Sequence, residues 1–138
     1  MTSNPNTISR DYAVQFLYLC ESERAFYFSQ NHFDTFTNHY NVNPDSKGYL
    51  KELVQGVLGS VSELDETITQ YAKNWSVSRM AITDRVILRM AIWELTQRKQ
   101  PVKAVLNEAI DLAKKYGTEH SGAFVNGILD PIAAKLSL

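Results

Sequence analysis

Apolar side chains recur at helical spacing along almost the whole chain, and this periodicity limits the fold more than any other feature. Ala13, Phe16, Leu17 and Cys20 fall at i, i+3, i+4 and i+7, one face of a helix. Thr7 or Ser9 is placed to cap that segment, and Asp11 to complement the positive end of its dipole. A weaker segment carries Phe33, Phe36 and Tyr40 and runs into the loop signal Asn41-Val-Asn-Pro44. Asp45 or Ser46 then opens a stripe from Leu50 through Val57, Leu64 and Ile68 to Trp75. Gly59 and the overlapping capping boxes Ser60-Val-Ser-Glu63 and Ser62-Glu-Leu-Asp65 predict a kink or a fresh start near residue 60. Another helix is expected from about Thr83 to Arg98, ahead of Pro101. The clearest stripe joins Val102, Val105, Leu106, Ala109, Ile110, Ala113 and Tyr116, with Gly117 placed as a left-handed stop. A final helix starts near Ser121, and Pro131 is expected to kink or end it. No alternating apolar and polar stretch is bounded by hairpin turns. The expected class is therefore all-α, six to seven helices in a bundle or orthogonal array.

The chain has 138 residues, which suits a single domain over 1–138 with a real core. No apolar run has the length of a membrane span, and the first residues lack the basic and apolar regions of a secretion signal. With Cys20 as its single cysteine, the chain has no disulfide framework, and a cytoplasmic, reducing environment is expected. The net charge of −1 hides an asymmetry. Residues 1–70 are acid-rich, while the remainder carries Arg79, Arg85, Arg89, Arg98, Lys99, Lys103, Lys114 and Lys115 among others. Such a distribution either sets up a field that favours a polyanion on one side, or lets the two halves attract each other.

Catalytic chemistry is not apparent. His32 and His39 are seven apart and His120 is remote from both, so no helical metal pair forms. Cys20 belongs to an apolar stripe, where it behaves as a small hydrophobe. Gly56 and Gly59 sit within a helical stripe, where close packing explains them better than a phosphate cradle. The acidic pairs Asp65–Glu66 and Glu21–Glu23 read as solvated helix surface. No enzyme, cofactor or metal is expected. Binding chemistry remains: cations that neutralise phosphate and rings, among them Trp93, Tyr116 and Phe124, that could stack on unpaired bases. Trp93, among Val86, Met90 and Leu95, fits a core position better.

Three blocks give a more specific indication: Thr83-Asp-Arg-Val-Ile-Leu-Arg-Met-Ala-Ile-Trp-Glu-Leu95, Val105-Leu-Asn-Glu-Ala-Ile-Asp-Leu-Ala-Lys-Lys-Tyr-Gly117 and Phe124-Val-Asn-Gly-Ile-Leu-Asp130. With Ala13-Val-Gln-Phe-Leu-Tyr18 they resemble the NusB transcription antitermination factors over nearly the whole chain. Local chemistry accounts for parts of these blocks. Asn107 and Glu108 are expected to satisfy neighbouring backbone groups, and Gly127 to permit a close helix crossing.

The resemblance implies two small helical bundles packed roughly orthogonally. It implies binding of boxA-type single-stranded RNA together with NusE, a ribosomal protein that doubles as an elongation factor. It further implies loading onto the RNA polymerase elongation complex, suppression of premature termination in ribosomal RNA operons, and in some members a homodimer. Carried over by position, Arg10, His120 and Phe124 are the expected RNA contacts, and Tyr18 and Asp84 the expected NusE contacts. The chain departs from the family's arginine-rich start: the corresponding stretch is Asn6-Thr-Ile-Ser-Arg10, with Arg10 alone retained. A protein–protein adaptor with little RNA affinity of its own is the competing expectation.

Overall fold

The computed structural model describes residues 4–136, which form seven α-helices and no strand. In chain order these are α1 (Pro5–Ser22), α2 (Gln30–His39), α3 (Pro44–Leu58), α4 (Val61–Tyr71), α5 (Ile82–Gln97), α6 (Val102–Tyr116) and α7 (Ser121–Leu136), with a 3-10 turn at Val77–Arg79 ahead of α5. The break at residue 60 is a fresh start: α3 closes at Gly59 and α4 opens after Ser60. The first helix begins earlier than its periodicity suggests. Asn4 accepts the Asn6 N–H at 2.8 Å, and Pro5 occupies the first helical position, where its missing N–H costs nothing. Ser9 is buried instead, its hydroxyl donating to the Ser46 carbonyl at 2.6 Å and so tying α1 to α3.

Helix α5 is the hub. It touches α1, α3, α4, α6 and α7, and its buried residues run almost unbroken from Val86 to Leu95. A helix that is apolar all round belongs inside a structure. The two bundles meet on it, α1–α3 forming one and α4, α6 and α7 the other. Helix α2 closes over α1 through rings: Phe36 stands edge-on to Phe16 at 5.2 Å, and Phe33 at 6.0 Å. Trp93 is half-buried on the core and lies over Gly56, where an added methyl would come within 2.1 Å of the indole. Close packing at Gly56 is thus confirmed.

Four expectations are corrected. Gly117 is not left-handed (φ −98°), and glycine is needed there because a Cβ would lie 2.2 Å from the Ser121 hydroxyl, at the tight α6–α7 join. Pro131 does not end the last helix, which continues to Leu136. The ring sits on the exposed side, where water can serve the Gly127 carbonyl it leaves without a donor. Gly127 makes no close crossing, since a Cβ there would meet nothing within 4 Å. Ile110 is half-buried, whereas Val105, Ala109, Leu112 and Ala113 carry the buried face of α6.

The hub also carries two buried charges. Glu94 is held by the Arg10 guanidinium of α1 at 2.8 Å and by the Tyr49 hydroxyl of α3 at 2.5 Å. Arg10 reaches on to Glu108 of α6 at 2.8 Å. Arg89 is chelated by Asp65 of α4 at 2.7 and 3.0 Å and by Glu21 of α1 at 2.6 Å. Glu21 also pairs with Arg85 at 2.9 Å. The carboxylates Glu21 and Asp65, expected on solvated faces, are thus internal ligands, and Glu108 serves a side chain rather than the backbone. Burial alone would pull the Arg10 and Arg89 guanidiniums down, but their carboxylate partners more than reverse this and hold both above the ordinary value. Removing one partner of such a set leaves an uncompensated buried charge, which costs about 3–5 kcal/mol. Arg10→Ala should accordingly lower unfolding stability by about that much, read from urea denaturation with an unchanged m-value.

Candidate nucleic-acid interface

The five expected site residues divide among three places. Arg10 is 2% exposed and its guanidinium is taken up by Glu94 and Glu108, so the expected phosphate contact is corrected: Arg10 is a structural cation. Tyr18, 41% exposed, lines a cleft of about 390 Å3 with Gln15, Leu19, Phe36, Tyr40 and Thr83. Asp84, the next residue after Thr83, lines a different cavity of about 420 Å3 together with His120 and Phe124. The structure therefore separates Asp84 from Tyr18 and joins it to the two expected RNA residues.

That second cavity has a consistent chemistry. Its walls are Met80, Ala81 and the rings of Trp75 and Phe124, which meet edge to face at 5.9 Å. Its rim carries Arg79 and His120, both exposed, and His120 lies 3.3 Å from the exposed Glu119. The same two rings also line a larger cleft of about 660 Å3 between the end of α4 and α7, bordered by Tyr71, Lys73, Asn74, Gly127 and Pro131. The loop that carries Trp75 is pinned at both ends by the buried Ala72 and Met80. Arg85 donates to the carbonyls of Val77 and Ser78 at 3.2 Å and fastens the 3-10 turn to α5. Neither Trp75 nor Lys73 stands out in the sequence as a binding residue. The apolar stripe expected to run to Trp75 stops with α4 at Tyr71, and Trp75 lies exposed in the non-helical stretch Asn74-Trp-Ser76.

The basic second half does not act as one field. Arg85 and Arg89 are committed to Glu21 and Asp65, and Lys115 to Asp11 at 2.6 Å, so much of the asymmetry is spent on attraction between the halves. Arg79, Arg98, Lys99, Lys103 and Lys114 remain exposed.

Asp11 clasps α1 to α6 beside the Tyr18 cleft. It accepts from Lys115, from the Tyr116 hydroxyl and from Gln15, and both Gln15 and Tyr116 line that cleft. Burial would raise its carboxyl, but these donors outweigh it and hold Asp11 below the ordinary carboxylate value. A depressed folded-state value means stability that is present above the unfolded pKa of about 4 and lost as pH falls through the folded one. Lys115 is largely exposed, so solvent screening limits the contribution to about 0.2–1 kcal/mol. Asp11→Asn should cost that much at neutral pH, and its denaturation midpoint should converge on the parent's in acid.

The family model described as "NusB family" matches residues 7–134. The transcription antitermination protein NusB of Thermodesulfovibrio yellowstonii is 37% identical over 134 residues, covering 91% of this chain and 89% of the relative. A structure of T. maritima NusB superposes with a TM-score of 0.81 at 30% identity, covering 98% of this chain and 94% of that one. A structure of the antitermination factors NusB and NusE in complex with double-stranded RNA gives a TM-score of 0.84 at 27% identity, covering 97% and 99%. Among the described residues no helix is long and apolar enough to cross a membrane. Matched by the family model over residues 7–134 and by these relatives over nearly its full length, the chain belongs to the NusB family of transcription antitermination factors.

Proposed function

We propose that this antitermination factor acts in the cytoplasm by binding boxA-type single-stranded RNA jointly with a NusE-like ribosomal protein. The pair would load onto the RNA polymerase elongation complex and sustain transcription of ribosomal RNA operons. The observation that carries the RNA part is the aromatic cavity of Trp75 and Phe124 with Arg79 and His120 on its rim. Rings stack on unpaired bases, and the Arg79 guanidinium neutralises a phosphate beside them. Support for joint action with NusE comes from the NusB and NusE complex with RNA that the chain resembles. The Tyr18 cleft is the proposed NusE surface, since a half-exposed tyrosine offers a partner both apolar area and a hydroxyl.

One observation favours a larger share for the partner. Arg10, the cation retained at the start of the first helix, is committed to Glu94 and Glu108 inside the fold. The isolated protein therefore offers few phosphate contacts. Each contributes roughly 0.7 to the salt slope on a single strand, so Lys73 and Arg79 together give a slope of about 1.4. Fluorescence anisotropy with labelled boxA-type RNA across a salt series should show weak binding and that shallow slope for the protein alone. The NusE complex should bind tighter with a steeper slope. Absence of binding by the complex would instead establish the adaptor role.

Tyr18→Ala separates the two surfaces. It should weaken NusE binding in calorimetry by about 1–3 kcal/mol, while helicity is retained and the weak RNA binding of the free protein is unchanged. Unaltered NusE affinity would remove the cleft from consideration.

A further inference from the structure

Trp75 has no role in holding the core: it is 54% exposed on a loop that is otherwise fixed at both ends. Its indole meets Phe124 edge to face, and both rings line both the 420 Å3 cavity and the 660 Å3 cleft, the place where the two adjoin. We infer that Trp75 is a wedge that parts two successive unpaired bases of a bound RNA strand, one base entering each side of the Trp75–Phe124 wall. This rests on the RNA reading given above and adds to it the residue that sets the path of the strand.

Three features favour bases rather than another occupant. The walls on both sides are mostly apolar, with ring faces or edges available to a flat aromatic guest. The cations border the two cavities, Arg79 the smaller and Lys73 the larger, which is where the backbone of a strand crossing the wall would pass. Asp84 borders the smaller cavity with one buried carboxylate oxygen, Oδ1, that has no hydrogen-bond partner. A carboxylate there repels phosphate and suits the N–H donors on a base edge. The floor of the larger cleft is smooth at Gly127, where even a Cβ would meet nothing within 4 Å, so a planar group can lie against the backbone of α7.

The test uses the full chain in complex with NusE and labelled boxA-type RNA. Trp75→Ala should weaken RNA binding about 5- to 150-fold, the range of one lost stacking contact, and Trp75→Phe should restore most of it. RNA should quench the parent's tryptophan emission, and the quench should vanish in Trp75→Phe, where Trp93 is the remaining tryptophan. Abasic substitutions walked along the RNA should reveal two adjacent positions whose loss weakens the parent but adds little in Trp75→Ala. Circular dichroism and NusE affinity should be unchanged, as expected for an exposed loop residue. Normal RNA affinity in Trp75→Ala, or no quench in the parent, overturns the wedge and leaves the RNA reading standing. Loss of NusE affinity instead of RNA affinity assigns the wall to a protein partner and also overturns it. Failure of the parent complex to bind RNA removes the RNA reading itself.

Discussion

The fold depends on a crossed pair of buried ionic contacts between its first helix and its hub. Helix α1 supplies a cation, Arg10, to the carboxylate Glu94 of α5, and a carboxylate, Glu21, to the cation Arg89 of the same helix. Apolar packing alone would tolerate a slip of one helix along the other, because leucine and isoleucine surfaces repeat. The crossed pair does not tolerate it, since a slip by one turn would break both contacts and leave four charges in an apolar interior. The cost of burying these groups is offset only when every partner is in place, so they add register more than net stability. The same two clusters recruit the remaining helices: Tyr49 brings α3 to Glu94, Glu108 brings α6 to Arg10, and Asp65 brings α4 to Arg89. Short-range periodicity makes the helices, and these side chains decide which helix lies beside which.

This division explains what could be read from the sequence. The helices were legible because each carries an apolar stripe, and the break at residue 60 because Gly59 and Ser60 mark it locally, although the Ser60 side chain makes no capping hydrogen bond. Buried Cys20 and the close approach at Gly56 followed from their place within stripes. The ionic clusters were not legible. Glu21 and Asp65 look like solvated carboxylates from their neighbours, and only the arrival of Arg89 from another part of the chain makes them internal ligands. Arg10 fails for the same reason: a lone arginine at a helix start looks like a surface cation until Glu94 and Glu108 are folded around it. Gly117 and Gly127 show that glycine alone does not reveal its purpose. One is required by a neighbouring serine, and the other lines open space.

The candidate site was legible by half. His120 and Phe124 do fall in one cavity, because they lie on either side of the α7 start and a single helical turn brings them together. Asp84 joins them although it was expected beside Tyr18. Trp75 closes an apolar stripe in the sequence, but it and Lys73 lie beyond the end of α4 at Tyr71, where the helical spacing no longer fixes which way a side chain turns.

The division between Thr83 and Asp84 bears on how two ligands could share so small a protein. These are consecutive residues in the first turn of α5, and about 100° of helical rotation separates their side chains. Thr83 borders the Tyr18 cleft and Asp84 borders the Trp75–Phe124 cavity, so one turn of the hub forms the partition between the two surfaces. Arg85, the next residue, links that turn to Glu21 of α1 and to the loop behind Trp75. Under the proposed assignment of the two surfaces, a ligand that stiffens the start of α5 from one side would also order the lining of the other. Coupling of this kind is reciprocal by necessity: whatever the partner adds to RNA affinity, RNA adds to partner affinity.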